Sequence, residues 1–127
     1  MDDGVILSPS EVQVEIRKRA DGDLPAWATA HETAFLPPQA SWNAHIGTIQ
    51  AYAPHWFEGT GTHDADPFVV AMALDLGIEV VTYEGQAYSG EPAKISTYRR
   101  SMPHVCAEVK VEVATVFDVL NHLGVVL

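Results

Sequence analysis

The chain has 127 residues, 47% hydrophobic and 19% charged, with 17 acidic side chains against 7 Lys and Arg and a formal net charge of -10. That length and composition fit one globular domain, 1-127, with a real core. The acidity argues against an unaided grip on nucleic acid through a broad basic face, and it suits a metal site or a basic partner protein.

Cys106 is the only cysteine. No internal disulfide can form, which fits a reducing cytoplasm. Met1-Asp2-Asp3-Gly4 lacks the basic start and apolar run of a signal peptide. No apolar run approaches the ~20 residues that span a bilayer. The expectation is a cytoplasmic protein that does not enter a membrane.

Val5-Ile6-Leu7 is a short apolar segment. Ser8-Pro9-Ser10-Glu11 then reads as a helix start, with Ser8 as N-cap, Pro9 at the first helical position and Glu11 closing a capping box. This helix is expected to reach about Ala20, with Val12, Ile16 and Ala20 inward and Glu15 beside the apolar stripe. Arg17-Lys18-Arg19 suit its negative dipole end. Asp21-Gly22-Asp23 breaks the chain. A second helix is expected from Leu24 to Ala34, capped by Asp23 and ended by Pro37-Pro38. A third is expected from Ser41 to about Tyr52, with Trp42, Ile46 and Ile49 on one face and Pro54 as its stop.

Gly59-Thr60-Gly61-Thr62 leads into the most informative stretch. Asp64 or Asp66 caps a helix that holds Pro67 just inside its start and ends at Gly77. This helix is apolar nearly all round, which predicts deep burial. Ile78 to Thr82 reads as a strand covered on both faces, as in a parallel sheet. A loop follows over residues 85 to 94. A short helix beginning near Pro103 carries Val105 and Cys106, and Val109 to Ala114 reads as a further strand. Thr115 caps a last helix with Phe117, Leu120 and Leu123 inward. Helices alternating with short apolar strands predict an α/β layered domain. In a helix–strand unit, acids at the helix start and the strand end can share one edge, where they can hold a divalent cation.

Three segments carry a resemblance. They are Ile6-Leu7-Ser8-Pro9-Ser10-Glu11-Val12 with Glu15-Ile16; Ala65-Asp66-Pro67-Phe68-Val69-Val70-Ala71 with Val80-Val81-Thr82-Tyr83-Glu84; and Met102-Pro103-His104-Val105-Cys106 with Val116-Phe117-Asp118-Val119-Leu120. In order and spacing they resemble the PIN-domain superfamily of metal-dependent nucleases, and most closely a bacterial PIN-like family of unknown function with suspected toxin–antitoxin roles. The resemblance implies a three-layer α/β domain, with a short, mostly parallel sheet flanked by helices. It also implies that the family's first strand, which ends in Asp-Thr-Asn, is missing here, so that the chain is N-terminally truncated relative to the family.

By the same resemblance, Glu15, Asp66 and Glu84 are the catalytic carboxylates and, with Asp64 as helper, the ligands of Mg²⁺ or Mn²⁺. Such an ion positions a scissile phosphate and activates a water. The implied substrate is RNA, and Thr82, Arg17, Lys18, Arg99 and Arg100 are candidates to meet it. The implied partners are an antitoxin-like protein or a second copy of the chain.

Plainer readings exist for each residue. Asp66 before Pro67 is also a good N-cap. Glu15 suits a solvated helix face, and Glu84 a loop. Cys106 reads as core. The six histidines, at 31, 45, 55, 63, 104 and 122, show no i, i+4 pair and no cysteine partner, so their spacing gives no structural zinc motif. A chain lacking the central strand is alternatively a non-catalytic interaction module, whose open sheet edges invite pairing. The charge alone suggests a third reading, a module for a basic partner.

Overall fold

The computed structural model describes residues 7–19, 23–59, 63–82, 91–116 and 118–119. The fold is α/β, with short strands and a majority of helix. Strand β1 is Ser8–Pro9 and helix α1 is Ser10–Arg19. The helix therefore starts two residues later than Ser8 as N-cap would place it. Ser8 and Pro9 instead pair in parallel with Phe35 and Leu36, which form β2. A proline lacks an N–H, and it is tolerated in so short a strand. On α1, Val12 and Ile16 are half-buried, Gln13 is buried and Val14 is exposed.

Helix α2, Leu24–Ala30, is shorter than expected. A 3-10 turn at Glu32–Ala34 follows it and delivers Phe35 to the strand. Pro37 keeps Leu36 extended, because the residue before a proline is driven out of helical geometry. Ala40–Trp42 is another 3-10 turn, continued by α3, Asn43–Tyr52. Trp42 and Ile49 are buried on its inner face and Ile46 is half-buried, as the apolar spacing predicts. After α3 the chain does not simply stop at Pro54. Pro54–Phe57 forms a 3-10 turn that carries His55 and Trp56 into the interior.

Helix α4 is Asp66–Leu76, and its Pro67, Val70, Ala71, Met72 and Ala73 are buried. It ends at Gly77, whose φ of 66° is left-handed and natural for glycine. The N–H groups of Gly77 and Ile78 both donate to the Ala73 carbonyl, closing the last turn. Strand β3 is Val80–Thr82, shorter than predicted. Val81 is 40% exposed, so β3 is not covered on both faces.

Helix α5, Met102–Val109, begins with the Ser101 N–H donating to His104 Nδ1 at 3.0 Å. It ends on Lys110 at φ 63°. Val109 therefore belongs to the helix, and β4 is Val113–Thr115. Strand β4 pairs in parallel with β3 in the register Val80↔Val113, Val81↔Ala114, Thr82↔Thr115. Thr115 caps the next turn as expected. Its Oγ1 accepts from the Asp118 N–H at 3.1 Å, and its own N–H donates to Asp118 Oδ2 at 2.9 Å. The inward residues Phe117, Leu120 and Leu123 of that last helix lie outside the described residues.

Among the described residues the parallel sheet is present as two separate parallel pairs, β1 with β2 and β3 with β4. The main core lies where α3, α4 and α5 meet under β3. Trp42, Ile49, Val70, Val105 and Cys106 there are no more than 1% exposed. No helix among the described residues is long and apolar enough to cross a membrane.

Candidate functional site

Two features border α4, a polar one at its start and an apolar one along Val69, Met72 and Ala73. The polar one begins at Asp66. Neither Asp64 nor Asp66 caps α4. Ala65 is the N-cap residue, Asp66 is the first helical residue and Asp64 is exposed. The Asp66 carboxylate instead accepts a hydrogen bond from His63 Nδ1 at 2.7 Å, with both side chains one-quarter exposed. Two aromatic contacts fix the His63 ring. Trp56 stacks on it, with ring centroids 5.5 Å apart and planes 17° apart, and His55 meets it edge-on at 5.7 Å. His55 in turn lies against Tyr98, whose hydroxyl donates to Glu58 at 3.3 Å.

His55 is 8% exposed, and its Nε2 lies 3.0 Å from the Arg100 carbonyl oxygen. A carbonyl can only accept, so Nε2 carries the proton. Nδ1 then holds a lone pair, is buried, and has no hydrogen-bond partner among the described residues. Arg100 is held in place by several contacts. Its Nε donates to the Ile95 carbonyl, one terminal nitrogen donates to the Tyr52 carbonyl at 2.6 Å, and its guanidinium sits 4.0 Å over the Tyr52 ring. Arg100 is thus a structural clamp, poorly free to meet a phosphate, while Arg99 is exposed.

The apolar feature is a groove of about 450 Å³ between the two strand pairs. Leu7, Pro9 and Val12 line one wall, and Val69, Val80 and Val81 belong to the other walls. The N–H of Val80 donates to Glu112 on the β4 side. In a parallel ladder, alternate residues turn their backbone groups to opposite sides, so those of Val81 face away from β4.

The predicted acids fall near this groove in sequence. Glu15 is three residues after Val12, Asp66 three before Val69, and Glu84 three after Val81. Helix α4 rises about 16 Å, and the extended return from Ile78 to Thr82 covers a similar distance. The end of β3 therefore comes back toward the level of Asp66. Of the predicted site, Asp66 and Asp64 are described in full. Glu15 is within α1, but its side chain lies outside the description, as do those of Arg17 and Lys18. Glu84 lies outside the described residues. Among the described residues no group of three or more His, Cys, Asp or Glu side chains is arranged around a metal position.

Sequence reasoning missed His55 and Trp56. The only local signal is Pro54, which favours the tight turn that turns both rings inward. The meeting of residues 55, 63, 66, 98 and 100 is tertiary.

The class so defined is a small α/β domain built on parallel strand pairs, with a histidine–carboxylate cluster at the start of its most buried helix. The family described as "Domain of unknown function (DUF4411)" matches residues 1–127, and the chain belongs to that family. No curated protein matches the chain, and no solved structure does.

Proposed function

We propose that the protein is a PIN-like, metal-dependent endoribonuclease, of the kind that serves as toxin of a toxin–antitoxin pair. The observation that carries this reading is Asp66. Its half-buried carboxylate stands in the first turn of α4, one helical turn from the groove residue Val69. His63 engages Oδ2, which fixes the carboxylate plane. Asp66 fits a hard cation by its oxygen chemistry. Glu15 and Glu84, each three residues from the groove, are the further ligands this reading requires. A bound Mg²⁺ or Mn²⁺ would supply a site for the phosphate and an activated water. It would also offset the repulsion between RNA and a chain of net charge -10.

The test is Mn²⁺-dependent cleavage of single-stranded RNA by wild type and Asp66→Asn. Cleavage by the wild type and at least ~100-fold less by the variant is expected, since the ion would lose a charged ligand. Equal rates, or no cleavage with either metal, would remove the reading.

A second reading has its own observation. The groove is apolar and borders an outward-facing strand residue, Val81. Exposed strand edges favour pairing with another chain. On this reading the protein is a non-catalytic module that binds a partner protein or a second copy. Light scattering over a range of concentrations tests the second-copy case. Self-association that Val81→Lys abolishes is expected, and a strict monomer would count against it.

A further inference from the structure

We infer that His55 and His63 together form a site for a borderline divalent transition ion such as Zn²⁺, Co²⁺ or Ni²⁺. The histidines that ligate metals characteristically donate their other ring N–H to a carboxylate or a backbone carbonyl, which fixes the tautomer and aims the free nitrogen. Both rings here have that arrangement. His63 Nδ1–H donates to Asp66 at 2.7 Å, leaving the lone pair on Nε2. His55 Nε2–H donates to the Arg100 carbonyl at 3.0 Å, leaving the lone pair on Nδ1.

The independent observation is the state of that Nδ1. It is buried, in a residue 92% covered, and no donor among the described residues satisfies it. A buried acceptor left without a partner is costly. Unlike the indole N–H groups of Trp42 and Trp56, which are also without a partner among the described residues, this atom has a lone pair that a metal ion can use. Spacing agrees. Metal–nitrogen bonds of about 2.0–2.1 Å place the centroids of two imidazoles about 5–6 Å apart across a tetrahedral ion. The His55 and His63 centroids stand 5.7 Å apart.

Two protein ligands leave coordination positions for water or for a group brought by a substrate or partner. The site therefore takes an exchangeable ion rather than a structural one, in keeping with the absence of a three-ligand cluster among the described residues. It stands apart from the ribonuclease reading, because imidazole nitrogen selects transition ions and carboxylate oxygen selects Mg²⁺ or Mn²⁺. Here Asp66 is a positioning residue, acting on the ion through His63.

Co²⁺ and Ni²⁺ are the probes. Trp56 stacked on His63 supplies the reporter, since an ion bound to that ring quenches its emission. Visible absorption of bound Co²⁺ and imidazole ¹⁵N shifts in the full-length protein give two further readouts. The expected result is saturable quenching, with shifts at Nδ1 of His55 and Nε2 of His63 that Mg²⁺ does not reproduce. His63→Gln should weaken binding by more than Asp66→Asn, and the latter by about 10–100-fold. Trp56→Phe should remove most of the quenching and keep the absorption. Unchanged affinity in His63→Gln, shifts confined to other histidines, or no Co²⁺ binding at millimolar concentration would each overturn the proposal. A Mn²⁺-dependent nuclease that fails these titrations would leave the ribonuclease reading untouched.

Discussion

The core between α3, α4 and α5 and the groove between the strand pairs are built from similar apolar residues, yet they are finished differently. In the core, Ile49, Val70 and Val105 are fully covered. Along or beside the groove, Leu7 and Val81 are 36% and 40% exposed. The core therefore carries the stability that apolar burial provides. At the groove's rim, the exposed parts of Leu7 and Val81 stay in water and are available to a ligand or another chain. The two regions share α4 and β3: Met72, Ala73 and Val80 belong to the core and also line the groove, so the groove is an open margin of the core.

Substitutions can break this contrast in order of size. Ile49→Ala should lower unfolding free energy by about 2–5 kcal/mol, read by urea denaturation. A value near zero would mean the core is not packed as described. The two helix ends come next, because both use a left-handed residue. Gly77→Ala should destabilise by about 1–2 kcal/mol through backbone strain alone, since a Cβ there meets nothing within 4 Å. Lys110→Gly should do the opposite and stabilise by about 0.5–1 kcal/mol, visible as a higher Tm. The smallest effect belongs to the groove. Val81→Thr should change stability by no more than about 0.5 kcal/mol, and a larger loss would show that Val81 belongs to the core rather than to the groove's rim.

Much of the core was legible in the chain. The spacing of Trp42, Ile46 and Ile49, the near-continuous apolar run of α4, Gly77 as its end and Thr115 as a cap all follow from local chemistry. Boundaries failed where pairing overrode local preference. Ser8-Pro9 has every mark of a helix start, yet it became a strand because Phe35 and Leu36 lie alongside. Val109 looked like strand and became helix, because the chain turns only at Lys110. The candidate site was less legible. Asp66 was singled out, but as a cap or a ligand, and its bond to His63 depends on a ring held by Trp56. The clustering of His55 with His63 and Tyr98 leaves no periodic trace, since those residues meet only after the 3-10 turns fold back. Arg100 looked like a free cation and is instead committed to two carbonyls and a tyrosine ring.

The parallel sense of both strand pairs bears on the order of folding. Ser8 finds Phe35 only after α1 and α2 have been threaded between them, and Val80 finds Val113 only after the whole segment holding α5. Such distant closures cost chain entropy before they return any contact. The helices, whose backbone hydrogen bonds are local, are expected to form first, and the strands to join late on a helical platform already in place. A chain interrupted between those two stages would display the unpaired edges of β1 and β3, so the interval between helix formation and strand closure is when this protein is most exposed to aggregation.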